Sequence, residues 1–354
     1  INLNNMDELM PEWLHLGGSD GSIVVDDQAQ QDKALSYIKQ NRPDLPIVPL
    51  INNFSQQNQE WDSNSLVGML KDPLTRSRTI QNILNYVLQN KFSGISIDFE
   101  AVPVESHANL ILFMKELYEK FHPLNLEVSQ NIPLDDLAFD AKTLGQYNDF
   151  LILMAYDDHS VYDTTAGPVS DQNWYLTTLQ NRFSQLPPEK YVIALGNYGY
   201  DWIGETIDGK EVSFQDALRI AQESEGKILI DPESLNSTFN YYDDNNILHH
   251  VWYLDSTTAF NEISAVSKYA PRGYALWRLG SEDPSIWKVL EGSTMLGQGV
   301  VNNLKVLNYG YGIDYEGSGE ILKVTAVPKE GSRNLKLDAK TNLITEQSIT
   351  DYPS

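Results

Sequence analysis

Asp98 and Glu100 stand two residues apart at the end of the segment FSGISIDFE, residues 92–100. Successive side chains of a strand point to opposite faces, so Ser96, Asp98 and Glu100 share one side and Ile95, Ile97 and Phe99 the other. One side therefore carries carboxylates where a core would carry hydrocarbon. Two carboxyl groups crowded into an interior titrate apart, which leaves one protonated near neutral pH as a general acid and its neighbour ionised. The spacing alone also fits a blander reading, in which the pair caps the following helix or pairs with nearby Arg or Lys. Location favours chemistry, because parallel α/β barrels assemble active sites from polar side chains at the C-terminal ends of their strands.

Two further segments have the same character. LMAYDDHS, residues 153–160, ends an apolar run in Tyr156 and Asp157, a hydroxyl donor beside a carboxylate. The alternative is a packed tyrosine next to a solvated aspartate. GYALWRLGSED, residues 273–283, holds Trp277 inside the last apolar run, either as a core indole or as a flat floor for the C–H face of a pyranose. His249 and His250 are adjacent but have no Asp/Glu cluster at metal-ligand spacing beside them, so they are read as structural and neither metal nor cofactor is expected.

The elements that would position these residues alternate regularly. Apolar runs at 12–17, 45–52, 94–100, 126–132, 150–156, 191–197 and 274–280 are separated by amphipathic helical stretches, the pattern of βα units around a parallel sheet. Asp72–Pro73 and Asp283–Pro284 each read as an N-cap with proline at the first helical position, and Ser213 with Asp216 as a capping box. Seven strands imply a TIM (β/α)8 barrel whose first strand is missing from the chain, with residues 1–10 read as the helix that would follow it. The barrel is assigned to 1–200 and 256–295, an α+β insertion between strands seven and eight to 201–255, and a small β-rich segment to 300–354. In that segment ILKVTAVP, NLKLDA and LITEQSI are read as strands around EGS and DAKTN turns.

Composition narrows the partners. The 354 residues include 25 Lys+Arg against 49 Asp+Glu, a formal charge of −24 that repels nucleic acid and anionic membrane surfaces. No run is apolar for the ~18 residues a membrane helix needs, so no membrane insertion is expected. With no cysteine there is no disulfide framework and no redox-compartment signal. INLNNMDELM lacks the basic start and apolar run of a signal peptide, although an exported chain with its leader trimmed would look the same.

SGISIDFE resembles the DGxDxDxE signature of glycoside hydrolase family 18, the chitinase-like barrels. MAYD matches that family's M-x-Y-D at the sixth strand and YALW its eighth-strand tryptophan, in the same order, over roughly residues 1–291. More narrowly, PEWLHL, LINNF, FNYYDD, HHVWYLDSTTAFNEI and ALWRLGSEDPSIW look like the family 18 domain of bacterial multidomain proteins that join such a barrel to a polysaccharide deacetylase and a processive glycosyltransferase. The resemblance implies a glycosidase acting on polysaccharide with β-linked N-acetylglucosamine, extracytoplasmic or secreted. It makes Glu100 the general acid, Asp98 the group that orients the substrate acetamido and steadies its charge, and Tyr156 and Asp157 the residues that hold the acetamido for attack. The nucleophile is the substrate's own N-acetyl carbonyl, so the outcome is retaining. Trp277 becomes a subsite floor and Tyr198 a cleft aromatic.

The chain departs from the pattern in three places. Ser93 and Ser96 replace the first two aspartates of the signature, and LINNF replaces a serine and two glycines, so that Ser96, Asn52 and Asn53 are grouped with the substrate contacts or fill that space. A serine hydrogen-bonds but cannot take up a proton as a second aspartate would. The alternative on the same residues is a carbohydrate-binding module of this fold with weak catalysis or none.

Overall fold

The computed structural model describes residues 3–161, 163, 165–204, 209–291, 305–315, 322–338, 340–341 and 343–350. The apolar runs form β1 (Glu12–Leu16), β3 (Leu50–Asn52), β4 (Gly94–Asp98), β5 (Glu127–Pro133), β6 (Phe150–Met154), β7 (Tyr191–Gly196) and β8 (Gly273–Trp277), while β2 (Ile23–Val25), unmarked in the sequence, returns antiparallel to β1 after a turn in which the Asp20 carboxylate accepts from Ser22. The order in one sheet is β8-β7-β6-β5-β4-β3-β1-β2. Pairing from β1 through β3, β4 and β5 to β6 is parallel, with helices in the crossovers, which is the TIM (β/α)8 architecture.

Prolines shorten one strand. Pro46 and Pro49 cannot donate to a ladder, so the run at 45–52 pairs continuously only over Leu50–Asn52 and otherwise through the single bridge Leu9↔Ile47. That bridge also corrects the expectation of a helix over residues 1–10. Leu3–Asn5 form one 3-10 turn and the chain then extends to Pro11, where a helix would have no N–H to continue on.

The chain divides into two compact units, one formed by 1–154, 180–193 and 271–273 and the other by 155–179, 194–270 and 274–354. In the first, Ile95, Ile97 and Phe99 are fully buried on the outward side of β4, with Phe113 of the helix His107–Phe121 packed on Phe99. The helix Pro73–Asn90 starts as read, its Asp72 carboxylate accepting from the Thr75 N–H and Pro73 at the first helical position. The segment after β5 is fastened by Arg182, which is fully buried and donates to the carbonyls of Pro133, Leu134, Asp136 and Phe139.

In the second unit, strands Tyr198–Ile203, Gly209–Ser213, Leu229–Ile230, Ser237–Tyr242 and Leu248–Tyr253 form an antiparallel sheet. The helix Phe214–Glu223, N-capped by Ser213, packs on it through Phe214 and Leu218 against Phe239, Val251 and Tyr253. The strands Lys305–Tyr315, Leu322–Leu337 and Ile344–Thr350 form a separate antiparallel sheet. Glu330–Ser332, expected as a turn, lies inside the second of these because residues on the first strand pair with it throughout. Arg333 is fully buried, 2.9 Å from Asp283 and 3.5 Å from Asp255. Asp283 is therefore occupied by a cation as well as by local backbone, and the helix after it begins at Ile286 rather than at Pro284.

Arg182→Met leaves four carbonyls without their donor. Urea unfolding is expected to register a loss of about 3 kcal/mol or more, and a loss below about 0.5 kcal/mol would show that the guanidinium is dispensable.

Candidate active site

Asp98 is the last residue of β4 and is only 5% exposed. Burial and then the negative charge of Glu12 raise its carboxyl from 3.8 to about 7, against a hydrogen bond from the Asn131 side chain that favours the ionised form. The Ser96 hydroxyl two residues earlier is buried and makes no hydrogen bond among the described residues.

Glu100 follows on a backbone held from both sides. The Asn53 side chain accepts from the Glu100 N–H at 2.9 Å and donates to the Glu100 carbonyl at 3.1 Å, a reciprocal pair that holds the peptides on either side of the Glu100 Cα. Ala101 then turns with a φ of 49°, and its carbonyl accepts from the Ser63 hydroxyl at 2.8 Å. The Glu100 side chain is half-buried.

Asn52 and Asn53 are each 1% exposed. Asn53 is committed to Glu100, and the Asn52 amide is equally engaged. Its oxygen accepts from the Phe54 N–H at 3.0 Å and lies 2.5 Å from His15 Nδ1, while its nitrogen donates to Glu12 Oε1 at 2.7 Å. Of the two roles the sequence allowed them, these contacts favour filling and bracing the strand ends.

The second unit holds the tyrosine cluster. Asp157 follows β6 with a φ of 61°, a left-handed conformation that aspartate tolerates better than most residues. Tyr198 and Tyr200 both donate to its Oδ1, at 2.5 and 2.9 Å. Burial raises the Asp157 pKa, the two phenols oppose that, and Glu211 and Asp163 add to it. Tyr156 meets the Tyr198 ring edge-on at 6.0 Å, and Tyr156 and Trp277 pack against one cluster that includes Tyr198, Tyr200, Trp202 and Leu254. Close approach here depends on Gly196, where a Cβ would stand 2.8 Å from Leu254 and 3.0 Å from Tyr156 Cβ. Tyr198 itself is only 4% exposed, so it presents its hydroxyl to Asp157 and little ring to solvent.

His249 and His250 have structural partners. His249 Nδ1 lies 2.8 Å from Asp201, which also accepts from the Tyr241 hydroxyl, and His250 Nδ1 lies 2.9 Å from Asn240. The sequence reading did not mark Glu12, His15, Asn131 or Tyr200. Tyr200 had a usable signal, since it shares a strand side with Tyr198 at spacing two. Glu12 and His15 had none, because strict alternation puts residues three apart on opposite sides.

The chain belongs to glycosyl hydrolases family 18, whose sequence profile matches residues 2–283, and it is a glycosidase of that family. It is similar to the uncharacterized glycosylase YvbX of Bacillus subtilis, with 24% identity over 77% of this chain and 81% of that one. A cortical fragment-lytic enzyme of Bacillus anthracis is 26% identical over 70% of this chain, and the chain spans 59% of that relative's length. Among solved structures, a chitinase from Chromobacterium violaceum superposes with a TM-score of 0.76 at 21% identity, covering 84% of this chain and 94% of its own. The spore cortex-lytic enzyme SleL of Bacillus megaterium does so with a TM-score of 0.72 at 22% identity, covering 82% and 68%.

Removing the phenols should leave Asp157 with burial and like charge only. In the double variant Tyr198→Phe with Tyr200→Phe, the titration of the Asp157 carboxyl carbon, followed by 13C NMR, is expected to move to higher pH. A midpoint at its original position would mean the two hydroxyls do not stabilise the ionised form.

Proposed function

We propose that this chain hydrolyses polysaccharide containing β-linked N-acetylglucosamine by the substrate-assisted retaining route, with Glu100 as general acid. Glu100 gives its proton to the glycosidic oxygen as the C1–O bond breaks. The acetamido carbonyl oxygen of the same sugar closes on C1, and the positive charge passes to the oxazolinium ring so formed. Water then opens that ring while Glu100 takes back a proton, restoring the starting state with the anomeric configuration retained.

The observation that carries this reading is the state of Asp98 beside Glu100: a buried carboxyl with a pKa of about 7 and no cation among the causes of its shift. Ionised, it would face the nascent ring charge without competition from an Arg or Lys. Tyr156 and Asp157 would hold the acetamido oriented, the latter braced by Tyr198 and Tyr200, and Trp277 would supply the subsite floor. Asp98 ends β4 and Asp157 follows β6, each at the C-terminal end of its own strand, and strand C-terminal ends are where TIM barrels carry their active sites. The names of the relatives, chitinase and spore cortex-lytic enzyme, support a polymer of this class and an extracytoplasmic place of action. No helix among the described residues is long and apolar enough to cross a membrane. We further propose the division into barrel at 1–200 and 256–295, insertion at 201–255 and β-rich segment at 300–354, as one part of a larger multidomain protein.

The second reading, a binding module with little turnover, draws on Ser96, whose hydroxyl has no described partner where a proton-accepting group would stand. One variant separates the two. Glu100→Gln is expected to lower release of reducing ends from N-acetylglucosamine oligomers by about 10²–10⁴-fold while calorimetric binding persists. Release at the parent's rate would remove Glu100 from the mechanism, and binding without hydrolysis by the parent between pH 4 and 8 would establish the module.

A further inference from the structure

β1 contributes a carboxylate that the signature does not contain. Its register against β3 runs Glu12↔Leu50, Leu14↔Ile51 and His15↔Asn52, so Trp13 is an extra residue and the strand bulges there. The bulge brings Glu12 and His15, three apart in sequence, to the same side as Leu50 and Asn52. Across the next pair, Leu50 is level with Ser96 and Asn52 with Asp98. Glu12 thus stands on the rung of Ser96, two rungs below Asp98 and on the same side.

A chain of hydrogen bonds holds it there. Asp26 Oδ2 lies 2.7 Å from His15 Nε2, His15 Nδ1 lies 2.5 Å from Asn52 Oδ1, and Asn52 Nδ2 donates to Glu12 Oε1 at 2.7 Å. The orientation of the Asn52 amide follows from its partners, since its oxygen also accepts from the Phe54 backbone N–H. Both ring nitrogens of His15 therefore face side-chain oxygens. Asp26, on the loop after β2, is in this way connected to a carboxylate beside the reacting strand.

We propose that Glu12 is a positioning residue for hydrolysis, a carboxylate delivered from β1 by the bulge at Trp13 and held by the Asn52 amide beside the end of β4 that carries Asp98. The inference rests on the role given to Asp98 above. The groups beside Asp98 within its unit are Glu12 and, at one remove, His15 from β1, Asn52 level with it on β3, the amide of Asn131 from β5, Ser129 level with Ser96 two residues back, and Glu100 two residues on along its own segment. Glu12 is exposed, so its field is screened but not removed by solvent. A negative charge at this position disfavours a second one on Asp98, and its removal should let Asp98 ionise at lower pH.

The test follows the Asp98 carboxyl carbon by 13C NMR in the parent, Glu12→Gln and Glu12→Asp, with the resonance assigned by its loss in Asp98→Asn. The midpoint is expected to fall by roughly one pH unit in Glu12→Gln and to stay near the parent's in Glu12→Asp, which keeps the charge. The acid limb of kcat/KM on an N-acetylglucosamine oligomer should move with it, because Asp98 acts ionised. Thermal unfolding supplies a readout free of turnover. Folded Asp98 keeps its proton to about 7 against an ordinary 3.8, so its contribution to stability is present below about 3.8 and is lost as pH rises through 7. Glu12→Gln should therefore raise Tm relative to the parent at pH 8 more than at pH 4. An Asp98 midpoint unchanged in Glu12→Gln overturns the inference, and so does a midpoint that moves while the acid limb of an active enzyme stays in place. A midpoint that moves in a protein with no hydrolysis in any form leaves the electrostatic pairing standing and removes the hydrolase reading instead.

Discussion

A carboxyl group closed off from water and given no cation keeps its proton until the solution is nearly neutral, and that constraint governs Asp98. Its strand supplies the constraint directly: alternation sends Ile95, Ile97 and Phe99 into hydrocarbon and leaves Ser96 and Asp98 on the opposite side, both buried. The neighbouring strands answer with amides and hydroxyls in place of guanidinium or ammonium groups. Everything proposed for this end of β4 follows from that choice of neighbours, including the effect of a single negative charge on β1.

The tyrosine cluster solves a related problem differently. Asp157 is also buried and its pKa is also raised, yet two phenolic hydroxyls converge on one of its oxygens. Neutral donors stabilise a carboxylate without adding positive charge. For a reaction that passes through a cationic sugar ring, an arginine in the same place would stabilise the carboxylate but repel the intermediate. The burial of Tyr198 is intelligible on the same terms, since a ring held for its hydroxyl has no need to face solvent.

Much of this was legible in the residues themselves. The strands that carry the proposed site are apolar runs ending in Asp98, Tyr156 and Trp277, and period-two alternation assigns their faces. What alternation could not deliver was β1, where one additional residue at Trp13 reverses the assignment for Glu12 and brings it into line with His15. A bulge has no sequence signature of its own, because it depends on what the partner strand offers. Asn131 was hidden for another reason: SQNIP reads as an ordinary buried strand, and only its neighbour identifies the amide as a partner for a carboxyl. At the chain start, LNNMDELM has helical composition, but pairing of Leu9 with Ile47 and the proline at 11 outweigh that preference. Likewise Glu330–Gly331–Ser332 has the composition of a turn and is overruled by continuous pairing with the strand at 305–315.

Arg333 lies fifty residues beyond Asp283, where the family match ends, yet it sits fully buried against Asp283 and Asp255, with its other guanidinium nitrogen donating to Ser256 and Thr257. Leu322–Leu337 is thus stitched through Arg333 into the interior of the unit to which it belongs. Trimming the chain back to the family boundary, the natural choice for anyone isolating the catalytic part, would strand two aspartates in the dark without their counterion. The counterion of those two aspartates thus comes from outside the stretch that the family profile matches.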